Sequence, residues 1–137
     1  MKTPTFNSTV DILVKAYLND TLEHGDCKAC AVGNMVRSAA YPLWEKDSGA
    51  WYDIVVCGNV SDQFEQLAKD QVIATGYSKK ELKSIEKAFE NADGDYDNFG
   101  DVIDTYHGLM AVVDVLAEIH NIDLSSKEEA KKLFVKI

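Results

Sequence analysis

Gly108-Leu109-Met110-Ala111-Val112-Val113-Asp114-Val115-Leu116 reads as a helix whose side chains are apolar in nearly every direction, with Asp114 as the one charged interruption. A helix of that kind is buried by its neighbours. The stretch therefore predicts a central helix over about 101–120, with the remaining elements packed around it. An acid inside such a helix must be paired, hydrogen-bonded or protonated. Asp114 is accordingly expected on a buried or half-buried side, held by a helix amide, a tyrosine or a lysine.

Before this stretch, Val10, Leu13, Val14, Tyr17, Leu18 and Leu22 recur at helical spacing behind Ser8 or Thr9, and His24-Gly25-Asp26 breaks the pattern. A shorter helix is expected from Asp26 or Cys27, carrying Cys30, Ala31, Met35 and Val36 inward past Gly33. Between Ala40 and Val60 the periodicity is lost, and Trp44, Trp51 and Tyr52 are expected to pin an irregular segment to the body. There Ile54-Val55-Val56-Cys57 is β-branched enough for a short edge pairing. Ser61 opens a helix carrying Phe64, Leu67, Ala68 and Val72 that stops at Gly76. Ser78-Lys79-Lys80-Glu81 is a capping box, and the helix behind it buries Leu82, Ile85 and Phe89. A last short helix follows Ser125 or Ser126, with Glu128 and Glu129 in its first turn and Leu133 and Phe134 turned inward. The expected fold is all-α: one compact domain over residues 1–137, a bundle of five to six helices around the central apolar one, with one irregular Trp-rich segment.

The strings Cys30-Ala31-Val32-Gly33-Asn34, Thr75-Gly76-Tyr77 with the capped helix ending Ala88-Phe89-Glu90, and Gly108 to Leu116 together resemble small uncharacterised proteins of Bacteroidota and their phages. The similarity covers most of the chain. It implies no activity.

Charge and cysteine content narrow the classes of function. The 137 residues hold 14 basic and 23 acidic side chains, a net charge of −9. Nine of the acids and no Lys or Arg fall in 88–126, so the whole net charge sits in that block. Nucleic-acid affinity is mostly cationic neutralisation of phosphate, and a nucleic-acid partner is not expected. No run approaches a membrane span, and the first residues lack the apolar core of a secretory signal. Three cysteines make no disulfide framework, which points to a reducing, cytoplasmic compartment.

Two sets of residues have the types and spacing of metal ligands. In the loop Asp93-Gly94-Asp95-Tyr96-Asp97-Asn98-Phe99-Gly100-Asp101-Val102-Ile103-Asp104, acids stand at the ligand positions of a helix–loop–helix calcium site. Asp93, Asp95, Asp97, Asp101 and Asp104 would supply carboxylates, and Phe99 its carbonyl. Asn98 stands where the turn wants glycine, and Asp104 is shorter than the usual bidentate Glu. The second set is His24-x-x-Cys27-x-x-Cys30 with Cys57, four N/S ligands of the kind zinc takes. Its second half lacks paired spacing, and core thiols account for it equally simply.

Enzyme motifs are thinner. Asp104-x-x-His107 shares a helix with Asp114, Glu118 and His120, and Glu86, Glu90, Asp101 and Asp104 loosely supply the acids of a helical pyrophosphatase. There is no phosphate-cradling glycine loop and no nucleophile elbow. The reading is an acidic helical protein that acts by binding another protein or a second copy of itself, with no cofactor. Calcium binding in the acidic loop is the first alternative, and a small metal-dependent hydrolase the second.

Overall fold

The computed structural model describes residues 4–59 and 61–135, and most of these are helical. Its elements are α1 (Phe6–Leu18), α2 (Ala31–Ala39), α3 (Tyr41–Lys46), α4 (Ala50–Tyr52), a π-helical turn (Asp53–Cys57), α5 (Glu65–Thr75), α6 (Lys79–Glu90), α7 (Tyr106–Ile119) and α8 (Leu124–Lys131). Among the described residues, β structure is confined to one antiparallel bridge, Tyr96 to Val102.

Capping explains where these helices begin. Thr5, not Ser8 or Thr9, opens α1: its hydroxyl takes the Ser8 amide at 3.0 Å, and the Ser8 hydroxyl takes the Thr5 amide in return. The helix stops at Leu18, short of the expected end, which leaves Leu18 47% exposed. The box Ser78–Glu81 forms as read, with both reciprocal bonds, and Leu82, Ile85 and Phe89 are fully buried behind it. In α2 the cap is the Cys30 sulfur, which accepts the Gly33 amide at 3.2 Å. Gly33 is required by close approach, because a Cβ there would lie 2.6 Å from the Cys27 carbonyl oxygen.

The segment after Ala40 is more regular than its pattern suggests. Pro42 sits in the first turn of α3, where its missing N–H costs nothing, so it starts a helix rather than breaking one. Ile54 to Cys57 form the π turn instead of an edge strand. Among the described residues the expected five to six helices thus become eight. Two buried amides clamp the connections. Gln71 on α5 accepts the Trp51 amide at 2.9 Å and donates to the carbonyls of Leu43 and Asp47. Asn34 on α2 donates to the carbonyls of Thr21, Ala29 and Cys30. Each ties backbone groups of the connecting segments to a helix.

Two helices share the centre. On α2 every residue from Ala31 to Val36 is buried, with α1, α3, α5 and α6 around it. The apolar helix α7 packs most extensively on α6 and also meets α1 and α8, burying Leu109, Val112, Val113 and Leu116. Its other side is open. Asp114 is there, its side chain 50% exposed, at the open limit of the buried or half-buried side expected of it and with lysine among the expected partners. Its partners are Lys131 at 2.9 Å and Lys127 at 3.4 Å, both from α8. Partial burial works against its charge, but the two ammonium groups outweigh this and hold the carboxyl below its usual range. Phe134 is buried against Tyr17, whereas Leu133 points outward, 56% exposed.

Candidate functional site

The acidic loop between α6 and α7 is built around one carboxylate. Thr105 caps α7 by position but offers no side-chain bond, so the first amides of the helix need another acceptor. Asp95 supplies it. Its Oδ1 accepts the His107 amide at 2.7 Å, with the His107 Nδ1 at 3.2 Å, and its Oδ2 accepts the Gly108 amide. The same Oδ2 accepts His24 Nε2–H at 3.0 Å. Asp95 is fully buried. The approach depends on Gly108, where a Cβ would stand 2.7 Å from the Phe89 carbonyl and 2.9 Å from the His24 ring. His24 lies stacked on Phe89 at 4.4 Å between ring centres, with Tyr96 at 5.1 Å.

Beyond Asp95 the loop is a tight turn. Asp97 Oδ1 accepts the amides of Phe99 and Asp101, both at 2.9 Å, and the Asp97 amide donates to the Asp101 carbonyl at 2.8 Å. The Ile103 amide returns to the Asp95 carbonyl at 2.8 Å. This frame puts Phe99 at the tip, 91% exposed, with Ile103 66% and Val102 49% exposed behind it.

The acids matched to a calcium loop are therefore not gathered around a common point. Asp95 is saturated by N–H donors, and Asp97 closes its own turn. Asp104 receives the Tyr17 hydroxyl and the Thr105 amide, while Asp93 and Asp101 face solvent. The zinc set is not brought together either: His24 turns to Asp95, Cys30 caps α2, Cys27 is half-buried and Cys57 is exposed. Among the described residues, no three His, Cys, Asp or Glu side chains are grouped as a metal ion requires. Asp104 and His107 share no partner, and His120 Nε2 is engaged by the Tyr77 hydroxyl at 2.8 Å.

A cleft of about 430 Å³ opens on the other side of His24. One face of α6 provides Lys83, Glu86, Lys87 and Glu90, a helical spacing of three and four, and the turn Gly25 to Cys27 with Tyr52 and Val56 closes it opposite. Glu90 clamps the turn, its two oxygens accepting the Gly25 amide at 3.0 and 2.8 Å. Glu86 is different. Only 5% of it is exposed, and its Oε2 has no hydrogen-bond partner. Burial pushes its carboxyl up from the ordinary range to about 7; the Cys30 thiol opposes this, and the neighbouring Glu90 adds to it. His24 Nδ1 is also unpartnered, 3.8 Å from Glu90 Oε2. The thiols here are poor nucleophiles, because burial raises both, Cys30 well above its usual value with Glu86 reinforcing the effect.

Compared with family models, curated proteins and solved structures, the chain matches none. Among the described residues no helix is long and apolar enough to cross a membrane. Of the acids loosely matched to a helical pyrophosphatase, Glu86 is the buried one, Glu90 clamps Gly25, Asp101 is exposed and Asp104 meets Tyr17. For Glu86 the signal in the sequence was position: it adjoins Ile85 and lies four residues after Leu82, at the edge of the buried face.

Proposed function

We propose that this protein is a non-enzymatic binding module that presents the loop 93–104 to another protein. The observation behind this reading is Phe99, almost wholly exposed at the tip of a turn held by its own hydrogen bonds. A large aromatic side chain on a pre-ordered loop loses little conformational freedom on docking, and burying it contributes about 1.5–3 kcal/mol. Aromatic residues of this kind are typical contact hot spots. Asp93, Asp97 and Asp101 surround the tip with negative charge. The fitting partner has an apolar socket rimmed by Lys or Arg, and encounter with it slows as salt rises. An anionic lipid surface fits poorly, since the acids would be repelled.

A photo-crosslinking amino acid at position 99, introduced in the native host, tests this. One dominant heterologous adduct, weakened when Asp97 and Asp101 are changed to Asn, is the expected result. Adducts only to a second copy of this chain, or none, would overturn the reading. Phe99→Ala is expected to leave stability within about 0.5 kcal/mol of wild type, so loss of partner binding in that variant reports contact rather than unfolding.

A further inference from the structure

We infer that the partner of the loop docks an extended segment bearing Lys or Arg, which adds as a strand along the open edge at Val102. This rests on the loop reading above and goes further by fixing the partner's backbone. Three observations carry it. First, the bridge between Tyr96 and Val102 is closed by a bond on either side, Asp97 N–H to the Asp101 carbonyl and Ile103 N–H to the Asp95 carbonyl, both at 2.8 Å. In an antiparallel pair of that pattern, the N–H and C=O of the bridging residue point away from its partner strand. Val102 therefore turns both groups outward, and among the described residues neither has a hydrogen-bond partner. Second, Val102 is 49% exposed, and an open edge of this kind accepts a further strand. Third, a slot of about 190 Å³ opens beside it, lined by Val102, Ile103 and Asp104 and by Tyr17, Asp20 and Leu22.

Charge around the edge selects the occupant. Asp101 and Asp104 flank Val102 in the chain, and the charged groups lining the slot, Asp20 and Asp104, are both acids. A second copy of this chain would set these acids against their own counterparts, and like charges across a strand pair are destabilising. A basic segment answers them. Its main chain supplies a carbonyl for the Val102 N–H and an N–H for the Val102 carbonyl. Side chains alternate along a strand, so Lys or Arg at every second position presents one cationic face to the loop. The slot takes one of these, its apolar stem against Leu22 and Val102 and its charged head toward the acids. Main-chain pairing then supplies affinity and the alternate side chains supply specificity.

Three acetylated hexapeptides decide the question: alternating Lys and Val, the same with Glu for Lys, and the lysine peptide with every backbone amide N-methylated. Each is titrated into the full chain and followed by amide NMR and hydrogen exchange. The lysine peptide is expected to shift Val102, Ile103 and Asp104 saturably. At about nine-tenths occupancy it should slow exchange of the Val102 amide about tenfold. The other two peptides should do neither. Val102→Pro, which lacks the N–H, should abolish the binding; if that variant disturbs the loop, exchange of the wild-type Val102 amide reads the pairing directly. Equal effects from either control peptide, no saturable shift, or shifts without protection of Val102 would overturn the inference. So would protection in the free chain that grows with protein concentration, as a second copy at the edge would give. The peptide has no socket for Phe99, so Phe99→Ala should leave its binding unchanged. A heterologous crosslink at position 99 with no protection of Val102 therefore defeats this inference alone. Protection without any crosslink defeats the loop reading and leaves the edge as a site for an extended basic peptide.

Discussion

The acidic loop and the α6 cleft each bury one carboxylate within reach of His24 or its neighbours, yet the two are treated in opposite ways. Asp95 accepts N–H groups from His24, His107 and Gly108, so its charge is fully answered and it joins α7 to the turn before α2. Glu86 lies beside a cleft but keeps one buried oxygen without a partner. Removing a satisfied buried acceptor strands its donors. Removing an unsatisfied one relieves a cost. The interior of the loop is thus structural, while Glu86 carries a burial cost that its surroundings only partly answer.

The sharpest way to break this contrast is Asp95→Ala. With α7 and the His24 turn losing a common acceptor, unfolding free energy should fall by about 3–5 kcal/mol; urea titration measures it, and a change under 1 kcal/mol would remove Asp95 from the centre of the account. Gly108→Ala comes next, at about 2 kcal/mol, because the new methyl meets the Phe89 carbonyl and the His24 ring.

Glu86→Gln should act in the other direction and only above acid pH. The folded carboxyl titrates near 7, above its ordinary 4.5, so the folded state binds the proton more tightly than the unfolded chain. Glu86 therefore costs nothing below about pH 4.5. The wild type loses stability relative to the variant between there and about 7, and the deficit, on the order of 3 kcal/mol, persists at higher pH. Thermal midpoints of both proteins across that range give the test, and parallel curves would place Glu86 in a satisfied environment like that of Asp95. The smallest effect belongs to Asp114→Asn. Its pairing with Lys127 and Lys131 is half-exposed and worth about 0.5 kcal/mol. Its carboxyl is held low, so this contribution is present at neutral pH and fades as the solution is acidified through that lowered value.

Local signals made several helices legible in advance. Ser78 and Glu81 cap α6 whatever packs on it, because the two reciprocal bonds lie within four residues. Gly76 ends α5, and the run from Leu109 to Leu116 has no alternative to a buried helix face. The sequence also located the net charge in 88–126, a fact independent of fold. At Pro42 a local reading runs out: a proline marks a break or a first turn, and in the structure it stands in the first turn of α3.

Tertiary structure alone decided the fate of the acids. Asp93, Asp95, Asp97, Asp101 and Asp104 are one residue type in one loop, and their spacing suited a cation. Yet one caps a helix ten residues later, one closes a turn and one meets Tyr17 on α1. Glu86 and Glu90 lie one helical turn apart, yet Glu90 clamps Gly25 with both oxygens and Glu86 keeps its Oε2 without a partner. Periodicity records which face of an element is buried, since burial follows apolar surface. It carries no record of which distant donor will arrive at a given oxygen, because that depends on how separate elements dock. The helices could therefore be read from the chain, and the site only from their assembly.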